Sequence, residues 1–188
     1  MEQAPGFPNT DELVARNAQY GKTLDGTHLD VRPSRSLAVV ACMDSRMDIF
    51  AILGLENGEA HIIRNAGGAV TEDTIRSLCL SQRFLGTREI LLLHHTDCGL
   101  YKLNENEFNA DLQQELGVRP SWALESFDDP YADVRQSIRR LELNPFVKHK
   151  DDMRGFVYNV DTGLLDEVLP AAKQAVGGGQ AEGNVGDV

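Results

Sequence analysis

The chain has 188 residues, 41% hydrophobic and 25% charged, which gives room for one domain with a substantial core and is ordinary for a globular protein. Its net charge of −11 argues against phosphate backbones and anionic bilayers as partners, and no apolar run approaches the length of a membrane span. Three cysteines is an odd number, and their placement does not describe a secreted disulfide frame, so metal binding or reduced thiols fit better.

The segment Met1 to Thr10 carries prolines and glycine but no apolar leader-like stretch, and a cytoplasmic location is expected. From Asp11 to Tyr20, Leu13, Val14 and Ala18 fall at helical spacing behind Thr10 and Asp11, which can act as caps. A short N-terminal helix follows. From Ser36 to Ala41 runs a continuous apolar stretch typical of a strand buried on both faces of a parallel sheet, with Cys42 at its C-terminal end. Met47 to Leu53 reads as a short helix stopped by Gly54. Ala60 to Arg64 is the next strand, and it runs into Asn65-Ala66-Gly67-Gly68, where glycine permits a tight backbone close to a ligand. Thr71 or Thr74 caps a helix reaching about Leu85, with Ile75, Leu78, Cys79 and Phe84 on its apolar stripe and Gly86 ending it. Glu89 to His94 is then a strand too apolar for burial on one side alone.

Between Tyr101 and Asp129 the pattern weakens, and Asn104-Glu105-Asn106-Glu107 reads as solvated. Asp129 before Pro130 starts a helix that turns Val134, Ile138 and Leu141 toward the core and stops at Asn144-Pro145. Gly155 to Val160, the turn Asp161-Thr162-Gly163 and Leu164 to Val168 read as a hairpin. Small residues and Gly177-Gly178-Gly179 dominate from Ala171 onward, so residues 171–188 are expected to form a flexible tail behind a domain spanning 1–170. The fold class is therefore α/β: a single domain with a mostly parallel open sheet flanked by helices and a C-terminal antiparallel edge hairpin. Ligands of such sheets bind beyond the carboxyl ends of the strands, where Cys42, Gly67, Gly68, His95 and Cys98 all fall.

Two thiols and an imidazole at two chain reversals point to zinc, which takes Cys sulfur and His nitrogen in a tetrahedron. Three protein ligands leave one corner open, the layout of a catalytic rather than a structural site, and no fourth cysteine lies nearby. Spacing alone leaves both His94 and His95 open as the imidazole donor beside Cys98.

The run Cys42-x-Asp44-x-Arg46, followed by His95-x-x-Cys98, resembles the zinc signature of the β-class carbonic anhydrases. The resemblance is close from Leu37 to Leu100, includes Arg64-Asn65-Ala66-Gly67-Gly68, and is looser beyond. It selects His95 over His94 and implies one Zn2+ per chain held by Cys42, His95 and Cys98. The implied reaction is hydration of carbon dioxide to bicarbonate by a zinc-bound hydroxide. Asp44 would aim the hydroxide by accepting its hydrogen bond, and Arg46 would keep Asp44 ionised through a forked pair. Backbone N–H groups around Gly67 and Gly68 would stabilise the oxygen that gains charge. Asp44 would also be able to swing onto the zinc and close the site. His94, Asp97 and His61 are candidate proton relays. In the resemblance the N-terminal helix reaches a second subunit, although its narrow apolar face here could equally lie on its own domain, and a homodimer or homotetramer is expected.

One departure is Glu56-Asn57-Gly58 where many family members carry Gln-Pro-Gly, which removes a glutamine that lines the neighbouring subunit's pocket. The compact chain also resembles a short subgroup that includes carbonyl sulfide hydrolases, so the alternative reaction is release of hydrogen sulfide from carbonyl sulfide. Two readings from other classes compete: a thiol–disulfide exchanger using Cys42 and Cys98, and a catalytically idle module on the same fold. Cys79 reads as a small core residue, and His28, His61 and His149 lack ligand-like neighbours at short spacing.

Overall fold

The computed structural model describes residues 10–24, 28–101 and 103–169. The predicted tail at 171–188 lies outside them. The chain divides into two compact units, Met1–Val31 and Arg32–Val188. The first carries helix α1 (Thr10–Tyr20) and a 3-10 turn at Gly21–Thr23, and no residue of either is buried. Its Leu13 and Val14 face outward, as a narrow apolar stripe with too little area to bury requires.

The second unit is built on a five-stranded sheet of order β2-β1-β3-β4-β5. Strand β1 (Leu37–Cys42) lies between β2 (Ala60–Asn65) and β3 (Glu89–His95), parallel to both, with Leu37 opposite Ala60 on one side and Glu89 on the other. Strand β4 (Met153–Tyr158) adds in parallel to β3, and β5 (Leu165–Glu167) folds back antiparallel on β4, making the expected edge hairpin. All six residues of β1 are buried. Alternation sends Leu37, Val39, Ala41 and Leu93 to one face, with Met47 and Ile49. It sends Ala38, Val40, Ile90 and Leu92 to the other, with Ile75, Leu78 and Leu141. Each fully buried Val or Leu contributes about 1.5–3 kcal/mol, which is why this strand needs no polar partner on either face.

The helices begin where side chains satisfy the first free N–H groups. Asp48 accepts the Ala51 N–H and starts α2 (Ile49–Leu53), two residues later than the apolar run suggests. Thr71, not Thr74, caps α3 (Glu72–Arg83), and Asp129 caps α5 (Pro130–Leu143) by accepting the Tyr131 N–H.

One expectation needs correction, and one stretch left without a pattern proves regular. Phe84 is 75% exposed rather than on the apolar stripe of α3. It lies six residues past Leu78, and at about 100° per residue that turns it about 240° away from the buried face. The stretch of weak pattern, where Asn104 to Glu107 reads as solvated, contains a helix, α4 (Glu105–Leu116), started by the Asn104 side chain accepting from Asn106 and Glu107 and ended at Gly117. None of its residues is buried, in keeping with that solvated character.

Candidate metal centre

Strands β1 and β3 are hydrogen-bonded parallel neighbours with Ala41 opposite Leu93, so Cys42 and His95 fall together at the same end of the sheet. Asp97 then reverses the chain with a left-handed φ of 54°, which an aspartate tolerates better than most residues, and returns Cys98 to the same place. The donor atoms of Cys42, His95 and Cys98 lie within 4.8 Å of one another, and all three residues are buried. The two sulfurs are 3.9 Å apart. Zinc–sulfur bonds of about 2.3 Å at a tetrahedral angle would set them about 3.8 Å apart. His95 Nδ1 donates to the Thr96 carbonyl at 2.8 Å, which leaves Nε2 as the ring's electron-pair donor, and that atom is buried with no hydrogen-bond partner. A sulfur pair at coordination spacing and an orphaned imidazole nitrogen are what a zinc ion requires, so the donor set fits the metal.

His94 is disposed differently. One residue earlier on the strand, it points to the opposite face, where its Nε2 lies 2.6 Å from Asp133 of α5 and its side chain is fully buried.

The turn after β1 supplies Asp44 and Arg46. Arg46 donates from its backbone N–H (2.9 Å) and Nε (3.0 Å) to Asp44 Oδ1 and from Nη2 (2.7 Å) to Oδ2, a forked pair. The same guanidinium reaches the turn after β3, with Nη1 2.8 Å from Asp97 Oδ2 and Nη2 2.9 Å from the Asp97 carbonyl. One side chain therefore clasps both ligand-bearing turns. Asp44 Oδ2 sits 3.7 Å from His95 Nε2, next to the donor cluster.

The electrostatics follow from these contacts. Hydrogen bonds from Arg46 hold the Asp44 carboxyl well below the ordinary carboxylate range, and Asp44 in turn raises Arg46. Hydrogen bonding between the Cys42 and Cys98 sulfurs lowers the Cys42 pKa against the opposing effect of burial. The same contact raises Cys98. Burial disfavours a charged His95 ring, but the Cys42 sulfur and the Thr96 carbonyl outweigh it, and the net direction is upward. Thiolate character at Cys42 is the form that binds metal.

Gly67 and Gly68 follow β2 with φ of 74° and 72°. A Cβ on Gly68 would stand 3.0 Å from the Cys42 nitrogen, and one on Gly67 would stand 2.7 Å from Leu100 Cδ1. Gly68 thus lets the exit of β2 lie directly against the backbone that carries Cys42, while Gly67 leaves room for the Leu100 and Phe127 side chains. Of the other relay candidates, Asp97 is engaged by Arg46, and His61 Nδ1 lies 2.8 Å from Ser81 Oγ, which continues to Thr87 Oγ1 at 2.7 Å. The role of Asp97 as the second anchor of Arg46 was not expected from sequence. Its place between two ligands was visible there, but the reach of Arg46 across 51 residues was not. Beside the donor cluster opens a cavity of about 450 Å³ whose lining includes His95, Cys98, Tyr101, Phe127, Pro130 and Tyr131.

Residues 37–165 match the family model described as Carbonic anhydrase. Beta-carbonic anhydrase 1 of Mycobacterium tuberculosis is 53% identical over 161 residues, covering 86% of this chain and 98% of that protein. A carbon disulfide hydrolase of Saccharolobus solfataricus is 42% identical over 181 residues, covering 82% of this chain and 86% of the relative. The crystal structure of a carbonic anhydrase from Streptococcus mutans shares the fold with a TM-score of 0.81 at 39% identity, covering 88% of this chain and all of that one.

Proposed function

The chain belongs to the β-carbonic anhydrase family, and from that premise we propose that it hydrates carbon dioxide to bicarbonate with one zinc ion held by Cys42, His95 and Cys98. The observation that carries this reading is the orphaned His95 Nε2 facing two sulfurs 3.9 Å apart, with the ionised Asp44 beside it. When bound there, zinc supplies a water acidified to a pKa of about 7 and hence a nucleophile at neutral pH.

The chain's own residues do the rest. Asp44 is an acceptor without a proton of its own, so it orients the attacking O–H group by accepting its hydrogen bond. Arg46 fixes Asp44 and keeps it ionised, and through Asp97 it also fixes the turn that brings Cys98 back. Tyr101 and Phe127 give the adjoining cavity an aromatic wall suited to a small, uncharged, linear substrate. Backbone at Gly67, which lies against Leu100 and Phe127, and at Gly68, which lies against Cys42, is the proposed contact for the substrate oxygen that gains charge. Asp44 is also the residue that would hold the metal in a closed form of the site, and in this structure Arg46 engages both of its carboxylate oxygens. A homodimer or homotetramer and a cytoplasmic location belong to the same proposal. Among the described residues no helix is long and apolar enough to cross a membrane.

A second reading has its own support, because relatives of comparable coverage are named carbon disulfide hydrolases. Carbon dioxide, carbonyl sulfide and carbon disulfide are all linear heterocumulenes open to the same attack at carbon. Side-by-side turnover of the three by one preparation separates the readings. Carbon dioxide hydration is expected to dominate; sulfide release with negligible carbon dioxide hydration would make the chain a carbonyl sulfide or carbon disulfide hydrolase instead.

A further inference from the structure

We propose that Arg64 is a positioning residue of the metal centre, holding Cys42 and Asp44 in place through their backbone carbonyls. The inference rests on the zinc reading above. Arg64 stands near the carboxyl end of β2, in register with Ala41 of β1. Its Nε donates to the Cys42 carbonyl at 2.9 Å, and its Nη2 donates to the Asp44 carbonyl at 2.7 Å. These carbonyls bracket Met43, so a single planar guanidinium fixes the two peptide units that decide where the Cys42 thiol and the Asp44 carboxylate point.

The location explains why such a clamp is needed. Strand β1 ends at Cys42, and beyond it the regular ladder no longer dictates the backbone. Met43 N–H still donates to the Asn65 carbonyl at 2.8 Å, and the Asp44 carbonyl accepts a turn hydrogen bond from Met47 at 3.0 Å. Arg64 spans the gap between those two points. Two guanidinium groups thus hold Asp44 from different ends, Arg46 at its carboxylate and Arg64 at its carbonyl. Arg64 touches no donor atom of the metal site, so its effect reaches the chemistry only through the residues it holds. Lysine cannot replace it fully, because a single ammonium lacks the rigid fork that spans two carbonyls.

The test uses the full chain as wild type, Arg64→Ala and Arg64→Lys. Zinc affinity is measured by competition with a chromophoric chelator, coordination geometry by the visible absorption of the cobalt(II)-loaded proteins, and folding by thermal unfolding of the metal-free proteins. Arg64→Ala is expected to bind zinc roughly 10- to 100-fold more weakly and to shift the cobalt spectrum, with the metal-free unfolding temperature unchanged. Arg64→Lys is expected to recover only part of the affinity. Wild-type affinity and spectrum in Arg64→Ala would overturn the proposal, as would complete recovery by lysine or a loss accounted for by poorer folding alone. If Arg64→Ala does not fold, Arg64→Lys carries the test, and a wild-type spectrum and affinity there would overturn it. A wild-type chain that binds no zinc would instead sink the zinc reading itself, before any variant is compared.

Discussion

The carboxyl ends of β1 and β3 and the edge formed by β4 and β5 belong to one sheet, yet they use equally good arginine contacts for different ends. At the strand ends, Arg46 makes a forked pair with Asp44 and continues to Asp97, tying together the two turns beside the buried donors Cys42, His95 and Cys98. At the edge, Arg154 makes an equally short fork to Glu167, at 2.7 and 2.8 Å, while lying 5.0 Å from the Phe156 ring. Both members of that second pair are solvent-exposed, and what they hold is already paired through the β4–β5 ladder. Hydrogen-bond length therefore does not distinguish the two pairs; the difference is what each keeps in place. The edge depends instead on packing, since Gly155 of β4 lies so close to α5 that a Cβ there would meet Val134 Cγ1 at 2.2 Å.

The contrast can be broken at several points. Asp44→Asn keeps the size of the side chain but removes the ionised acceptor. It is expected to retain zinc while lowering the turnover number for carbon dioxide by about 10²- to 10⁴-fold, checked by stopped-flow hydration and metal analysis. Arg46→Ala releases Asp44 and Asp97 together, and a loss of roughly 10- to 100-fold in activity or zinc affinity is expected. A variant with unaltered activity and affinity would put Arg46 in the same class as Arg154.

At the edge the expected effects fall on stability alone. Gly155→Ala forces a methyl group into Val134 and is expected to destabilise the fold by about 1–3 kcal/mol, read by urea unfolding, with zinc content unchanged. The smallest effect belongs to Arg154→Ala. The hydrogen bond from Arg154 lowers the Glu167 pKa, and a depressed folded value stabilises above the unfolded value of about 4.3 and fades as the pH falls through the folded one. Unfolding midpoints of wild type and Arg154→Ala are therefore expected to differ slightly at neutral pH and converge in acid. A gap that survives protonation of Glu167 would show that stacking on Phe156, not charge, is what Arg154 contributes.

Much of this was legible in the sequence because parallel strands buried on both faces leave continuous apolar runs. The runs Ser36 to Ala41 and Glu89 to His94 could be read without knowing their neighbours, within one residue at each end of the observed β1 and β3, and the candidate donors stand at their ends. Helix α4 was not legible by the same rule, since it buries nothing and its signal lies in the caps Asn104 and Gly117 rather than in apolar density. Phe84 adds apolar weight to the segment of α3 without sharing its buried face, because it lies around the helix axis on the exposed side. The connections of Arg46 to Asp97 and of Arg64 to the Cys42 and Asp44 carbonyls depend on which strand ends come together, and local spacing holds no record of that.

The central claim is that Cys42, His95 and Cys98 together hold a zinc ion on which hydration depends. Its most direct test is zinc content per chain, measured with carbon dioxide hydration on the same preparations of wild type, His95→Ala and Cys98→Ser, with folding checked by circular dichroism. One zinc per chain with activity in wild type, and folded variants lacking both, is the expected result. Full zinc retention by both variants, or undiminished hydration by a wild-type chain stripped of metal, would contradict it.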